Sequence, residues 1–132
     1  MRGADVKVQH YPTPNQGERR GGVLPDIVLL HYTAMPETKA VLERLADPAA
    51  EVSSHYVVSP EGGVWQMVDE GLRAWHAGAS RWGACDDVNS RSIGIEIVNA
   101  GREPFSAPQM AAVEGLVAGI MARGDVPPER GL

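Results

Sequence analysis

The fold is organised around the stretch Ile27-Val28-Leu29-Leu30-His31-Tyr32-Thr33-Ala34. Its four consecutive aliphatic residues predict a strand that is buried on both faces and lies at the centre of the fold. His31 follows this run, so a rigid element would hold its imidazole beside any cleft at the edge of the sheet. Such a histidine can be a metal ligand or a general base. It can equally be a core histidine with a structural hydrogen bond, and this stretch alone does not decide.

The composition is that of one ordinary globular domain. The 132 residues are enough for one compact domain and not comfortably for two. Hydrophobic residues make up 43% of the chain, which is sufficient to build a core. The net charge of −5, with no block of Lys or Arg, argues against a nucleic-acid-binding surface. No apolar run in the sequence reaches the length of a membrane span.

The single cysteine, Cys85, cannot form an intramolecular disulfide. This fits a reducing compartment, or an extracellular protein that uses no disulfides. The carboxylates of Asp86 and Asp87 follow it and would disfavour a thiolate, so we expect no nucleophilic role. Residues 1–7 lack the apolar segment of a signal peptide, which predicts a cytoplasmic protein, or a periplasmic or extracellular one if the start is misassigned. We expect a monomer.

The order of predicted elements is typical of an α/β layer fold. Residues 1–22 are predicted to form an extended N-terminal arm and residues 23–132 the domain. The predicted elements of the domain are a strand over 23–30, a helix that opens at 35–38 and stops at 47–48, a hairpin of strands over 53–58 and 64–68, a short strand or irregular segment over 72–76, a long loop over 77–89, a strand over 92–99 and a helix from Ser106 to Gly124.

Glu96 interrupts the apolar strand Ile93-Gly94-Ile95-Glu96-Ile97-Val98. The apolar residues on both faces predict a central strand, where a carboxylate loses hydration unless it has a partner or faces a polar cleft. Desolvation would also raise the pKa of Glu96, as a general acid or base at neutral pH requires. The alternative is an edge strand whose Glu96 faces water.

Together, His31 and Glu96 suggest a metal-bound water beside a general base. A catalytic zinc needs three protein ligands, and the other histidines are His10, His55 and His76. His55 could equally make a structural hydrogen bond, His76 could border a substrate groove, and His10 lies in the arm. Spacing therefore indicates one ligand and one base, without a complete ligand set.

Five motifs follow one another between residues 31 and 99, and the resemblance that they carry covers roughly residues 23–130. They are His31-Tyr32-Thr33-Ala34, Ser53-Ser54-His55-Tyr56-Val57-Val58, Val64-Trp65-Gln66-Met67-Val68, Ala74-Trp75-His76-Ala77-Gly78 and Asn89-Ser90-Arg91-Ser92-Ile93-Gly94-Ile95-Glu96-Ile97-Val98-Asn99. In this order they resemble the zinc-dependent N-acetylmuramoyl-L-alanine amidases of the amidase-2 type, which are relatives of the peptidoglycan recognition proteins and of phage amidase lysozymes.

The resemblance implies a central mixed β-sheet flanked by helices. It also implies hydrolysis of the amide between N-acetylmuramic acid and L-alanine of the stem peptide in peptidoglycan fragments, by a water that zinc activates. His31 matches the first zinc ligand of the family, and Glu96 matches its general base. The residues that would contact the muropeptide are Tyr32, Trp75, His76 and Asn99.

The sequence departs from the family pattern at its end. The family places its second histidine ligand, its aspartate or cysteine ligand and an oxyanion-stabilising lysine after the last helix, and nothing in residues 126–132 matches them. His31 is therefore the one recognised zinc ligand of three, and we expect the domain over 23–132 to be C-terminally incomplete. We expect little zinc affinity and little amidase activity from these residues alone. The alternatives are a non-catalytic domain that binds peptidoglycan fragments and an inactive truncated form.

Overall fold

The structure is a computed structural model, and it describes residues 7–22, 24–76, 87–101 and 103–124. Its strands are β1 (Val8–His10), β2 (Gln16–Gly17), β3 (Ile27–Tyr32), β4 (Tyr56–Val58), β5 (Val64–Gln66), β6 (Arg73–Ala74) and β7 (Ser92–Ile97). Its helices are α1 (Thr38–Leu45), α2 (Val88–Arg91) and α3 (Ala107–Gly124). Five strands form a mixed sheet in the order β1-β5-β4-β7-β3, while β2 and β6 pair separately. The predicted α/β fold with a mixed sheet is confirmed.

Strand β7 lies inside the sheet, between β3 and β4, and is parallel to both. This confirms the prediction that Glu96 sits in a central strand. In the described sheet β3 is an edge strand, so the prediction that β3 is central is wrong. The apolar run of β3 indicates that both faces of the strand are covered, and Ile27 and Val28 are indeed fully buried. It does not indicate whether β3 has a neighbouring strand on each side.

Each face of the sheet packs against its own helix. Because side chains alternate along a strand, Ile93, Ile95 and Ile97 all face the same side. One core cluster joins that side to α3 and includes Val28, Tyr56, Val58, Ile93, Ile95, Ile97, Val113, Leu116 and Ile120. A second cluster joins the other side to α1 and includes Val41, Leu42, Leu45, Val57, Met67 and Val98.

The helix ends follow from local sequence. Helix α1 ends at Leu45, before Asp47, whose carboxylate accepts the Ala49 N–H at 2.9 Å and starts a single 3-10 turn. Ser106, where the helix is predicted to begin, caps α3 because its hydroxyl accepts the Gln109 N–H at 3.2 Å. The Gln109 side chain does not complete a capping box. It is buried and donates to the carbonyl oxygens of Val58 and Val98, and so ties the helix to the sheet.

The strands predicted over 23–30, 64–68 and 92–99 are observed over 27–32, 64–66 and 92–97, and two further segments differ more from the prediction. The strand predicted over 53–58 is reduced to β4, because Ser53 bonds to the arm and to Trp75 while the His55 N–H donates to the Gly94 carbonyl. Helix α2 begins at Val88, inside the predicted loop 77–89, and runs on to Arg91. The rest of that loop up to residue 86, including Cys85, lies outside the described residues, as do 126–132.

Among the described helices, none is both long enough and apolar enough to span a membrane.

The predicted arm is tied into the domain by buried polar side chains. Its β1 pairs with β5, and its β2 pairs with β6. The amide nitrogen of buried Asn15 lies 3.3 Å from the Leu45 carbonyl oxygen and 2.9 Å from those of Asp47 and Val52. The Asn15 side chain thus donates hydrogen bonds to carbonyl oxygens at the end of α1 and in the segment before β4.

We expect Asn15→Ala to lower the free energy of unfolding by about 2 kcal/mol, because buried carbonyls lose their donor. Urea unfolding followed by circular dichroism measures this difference. The matched control is Lys39→Ala on the exposed side of α1, which should change the unfolding free energy by less than about 0.5 kcal/mol. Equal losses in the two variants would contradict the anchoring role of Asn15.

Candidate active site

The candidate site lies at the carboxyl ends of β3 and β7. The parallel pairing of these strands places His31 directly opposite Glu96. Paired residues of neighbouring strands project to the same face, here the side that packs against α1. Ligands of α/β folds bind where parallel strands end, so this edge of the sheet is the expected position for chemistry.

A cavity of about 170 Å³ adjoins the two strands. Its polar and ionisable lining includes Glu96 and His76, and α1 contributes apolar side chains. The lining residues are Thr33, Met35, Val41, Arg44, Leu45, Val52, Ser53, His76 and Glu96. Because a water occupies about 30 Å³ in the liquid, the cavity can hold a small chemical group or a few waters beside Glu96.

Glu96 has the acid–base properties that the sequence predicts. Burial raises the pKa of Glu96 from 4.5 to about 7, because the low-dielectric surroundings disfavour the carboxylate. Both protonation states are therefore populated near neutral pH. A carboxyl group in this condition can take up a proton and release it again at the same pH.

His31 and His76 form a contact pair beside Glu96. The His31 Nε2 lies 3.1 Å from the His76 Nδ1, and the rings meet edge to face with centroids 5.3 Å apart. Burial lowers the pKa of His31, and burial followed by repulsion from His55 lowers that of His76 to about 3. Both imidazoles are neutral at pH 7, and a neutral ring has one unprotonated nitrogen that can accept a hydrogen bond or bind a metal.

The described residues fit zinc in donor type but do not complete its ligand set. A catalytic zinc takes three protein ligands, and a neutral imidazole such as His31 is a donor that it prefers. In the part of the chain that the structure describes, no group of three or more His, Cys, Asp or Glu residues could hold a metal ion.

Tyr32 follows His31 and, because side chains alternate along a strand, it projects to the opposite face of β3. Its side chain is 58% exposed, which makes it one of the few exposed large hydrophobic residues of the described chain. A Cβ on Gly101 would lie 3.0 Å from the Tyr32 ring, and Gly101 has a φ of +95°, which favours glycine. Tyr32 thus presents an exposed aromatic ring at the end of β3, beside Gly101.

The hydrogen bonds of Asn99 and Trp75 connect them to Gly101, Glu103 and Ser53. The Asn99 side chain accepts the Gly101 N–H at 2.6 Å and donates to the Glu103 carbonyl at 3.1 Å, so it shapes a turn. It lines a second cavity of about 260 Å³. The backbone of Trp75 exchanges hydrogen bonds with Ser53. The structure therefore brings together His31, His76 and Glu96, whereas Tyr32 projects from the other face of β3.

His55 is fully buried and uses both ring nitrogens. Its Nε2 lies 2.8 Å from the Leu72 carbonyl oxygen and must donate to it, while its Nδ1 accepts the Gly94 N–H at 3.1 Å. Burial lowers the pKa of His55 to about 4, so the ring is neutral. These contacts support the structural alternative for His55.

Sequence reasoning missed the residues that hold His76. The His76 Nε2 lies 2.9 Å from the Ser92 hydroxyl, and the His76 N–H donates to Asn89 Oδ1 at 3.0 Å. A Cβ on Gly94 would lie 2.6 Å from the His76 ring, so the ring rests directly on the backbone of β7. Glycine inside an apolar strand often marks such a close approach, and that signal was available in the sequence.

Comparisons with known proteins identify one family. The family model described as N-acetylmuramoyl-L-alanine amidase matches residues 21–132. The N-acetylmuramoyl-L-alanine amidase AmiD of Escherichia coli (strain K12) is 35% identical over 119 residues, which cover 78% of this chain and 42% of AmiD. The 1,6-anhydro-N-acetylmuramyl-L-alanine amidase AmpD of Haemophilus influenzae is 34% identical over 70 residues, which cover 53% of this chain and 38% of AmpD. The chain thus spans about two fifths of these curated relatives.

Solved structures agree with these matches. A complex of the E. coli amidase AmiD with the substrate anhydro-N-acetylmuramic acid-L-Ala-D-gamma-Glu-L-Lys superposes with a TM-score of 0.75 at 32% identity, over 89% of this chain and 56% of AmiD. A crystal structure of an AmpD derivative superposes with a TM-score of 0.87 over 99% of this chain and 83% of its own, and at 20% identity it shows the shared fold alone.

We expect Glu96→Gln to stabilise the protein above neutral pH. The pKa of Glu96 is higher in the folded protein than in the unfolded chain, so the unfolded chain loses this proton first as the pH rises. The wild type therefore loses stability relative to the variant between about pH 4.5 and 7, by at most about 3 kcal/mol. Urea unfolding at pH 4 and pH 8 measures this gap.

The control for this comparison is Glu43→Gln, which alters an exposed carboxylate of α1. It should leave the difference between pH 4 and pH 8 as in the wild type. If Glu96→Gln raised the free energy of unfolding equally at both pH values, desolvation of the Glu96 carboxylate would not be the cause of the stability difference.

Proposed function

Because the chain belongs to the N-acetylmuramoyl-L-alanine amidase family, we propose that it hydrolyses the amide between N-acetylmuramic acid and L-alanine of muropeptides. One observation carries the proposal, namely the register that sets His31 opposite Glu96. The names of the relatives support the same bond as the target. One chain brings His31, His76 and Glu96 together, and we propose that it acts as a monomer.

Glu96 supplies the proton transfer that amide hydrolysis requires. In the proposed reaction it takes a proton from a water molecule as the water oxygen bonds to the amide carbonyl carbon. The carbon–nitrogen bond then breaks, and Glu96 returns the proton to the departing nitrogen of L-alanine. A pKa of about 7 suits both transfers, because the carboxyl group exchanges its proton at little cost near neutral pH.

Zinc is the metal that the family implies. We propose that, among the described residues, His31 is the one that would bind it. When bound, zinc supplies Lewis acidity that polarises the amide carbonyl. The neutral state of His31, favoured by burial, leaves an imidazole nitrogen able to donate to a metal.

The substrate would lie along the edge of the sheet that carries Tyr32. The exposed Tyr32 ring offers a flat apolar face to a sugar or lactyl group, and the cavity beside Glu96 can receive a small part of the peptide. We propose that Trp75, His76 and Asn99 border this groove. The muropeptide seen with AmiD has the chemistry that this arrangement would take.

The test is cleavage of anhydro-N-acetylmuramic acid-L-Ala-D-γ-Glu-L-Lys in the presence of Zn²⁺, with the released peptide measured by mass spectrometry. We expect slow release by the chain itself, because the described residues do not complete a zinc site. Glu96→Gln should slow it further, by at least about 100-fold, because general acid–base catalysis contributes 10²–10⁴-fold. His31→Ala should abolish it. Glu43→Gln, on the exposed face of α1, should cleave like the wild type.

Two results would overturn the proposal in different ways. If the substrate binds saturably, as judged by chemical shift changes, and stays intact in every variant, the chain is a non-catalytic muropeptide-binding domain. If it neither binds nor is cleaved, the muropeptide is not its ligand.

A further inference from the structure

The hydroxyl of Ser92 has a defined direction. Its oxygen lies 2.7 Å from the Val88 carbonyl oxygen and 2.9 Å from the His76 Nε2. A carbonyl can only accept, so the one hydroxyl proton of Ser92 goes to Val88. The Ser92 oxygen is left as an acceptor, and the proton between Ser92 and His76 belongs to the His76 Nε2.

The ring of His76 is held in one orientation. Its backbone N–H is bound by Asn89 Oδ1, and its ring rests on Gly94, where a Cβ would come within 2.6 Å. Ser92 is itself fully buried, so its position beside the ring is fixed. With the proton on Nε2, the Nδ1 of the neutral His76 is an acceptor and points to His31.

The contact with His31 continues the same chain of hydrogen bonds. The His76 Nδ1 has no proton to give, so the proton in the 3.1 Å contact is carried by the His31 Nε2. The neutral His31 is therefore protonated at Nε2 and bears a lone pair at Nδ1. No hydrogen bond from a described residue reaches this Nδ1, which leaves it open to a ligand.

We propose that His76 and Ser92 are positioning residues that fix the tautomer of His31, so that Nδ1 is the atom offered to the metal. This inference rests on the proposed function for the metal itself. Histidines that bind metals commonly donate their other ring N–H to a neighbouring acceptor, which sets the tautomer and the ring plane. Here the acceptor is a second imidazole, whose own proton is held by a buried serine.

The tautomers can be read directly by long-range ¹H–¹⁵N NMR of the imidazoles in the metal-free full chain at pH 7. We expect His31 and His76 each to carry the proton on Nε2. The exposed His10 serves as an internal reference, and its tautomers should be mixed. A His31 protonated at Nδ1 would overturn the inference, whether or not the chain cleaves muropeptides.

Two variants of His76 separate positioning from packing. His76→Ala removes the acceptor and should give His31 a mixture of tautomers. His76→Asn places an amide oxygen at the position of Nδ1 and should restore the Nε2-protonated form. Ser92→Ala should shift part of the His76 population to the other tautomer. A His31 that keeps one tautomer in His76→Ala would show that His76 does not set it.

A titration with Zn²⁺ alone tests the metal-binding atom. We expect zinc to shift the Nδ1 resonance of His31 while the Nε2 proton is retained. We expect this binding to be weak, because the described residues do not complete a zinc site. At a fixed Zn²⁺ concentration His76→Ala should therefore reduce the shift, and His76→Asn should reduce it much less. Loss of the Nε2 proton on zinc addition, or zinc that leaves both His31 nitrogens unchanged, would overturn the assignment. Neither result depends on hydrolysis, so the failure of one proposal can be told from that of the other.

Discussion

The parallel pairing of β3 with β7 is the constraint on which the rest of the site depends. It sets His31 opposite Glu96 and makes both project toward α1. A slip of one residue in β7 would turn Glu96 toward α3 and move Ile95 out of the cluster that packs against α3. The isoleucines that pack against α3 therefore hold the register, and the hydrophobic core decides where the carboxylate points.

The same arrangement places ionisable groups where they are poorly hydrated. Glu96 is half-buried with its pKa raised, and His55 and His76 are held neutral by burial. Such groups lower stability in the pH range where the unfolded chain would charge them. Two apolar clusters, one on each side of the sheet, offset this cost. Functional sites commonly break a rule of stability that the surrounding fold obeys.

Sequence patterns predicted the parts of the fold that burial controls. The strand that carries His31, the central position of Glu96 and the capped helix α3 were all readable, because apolar periodicity and capping residues report local environment. The edge position of β3 was not readable, since an apolar run says which faces are covered and nothing about strand order. Helix α2 was missed because its four residues carry too little periodicity to separate a short helix from a loop.

The contact of His76 with Gly94 shows a different limit. These residues are 18 positions apart. Their contact depends on the pairing of β6 with β2, because His76 follows β6 directly. The glycine signalled that something approaches the strand, but the partner could be identified only in three dimensions. The pairing of His31 with His76 was hidden for the same reason, since spacing made each histidine an independent candidate.

The segment over residues 87–92 connects the arm to the site. The Nη1 of buried Arg19 donates to the carbonyl oxygens of Asn89, Ser90 and Ser92, all within 3.1 Å. Burial lowers the pKa of Arg19 to about 10, which still leaves it charged at neutral pH. The side chains of Asn89 and Ser92 hold His76 from the same segment. Because Arg19 is hydrogen-bonded to the backbone that carries these side chains, both the arm and β7 fix the position of the His76 ring.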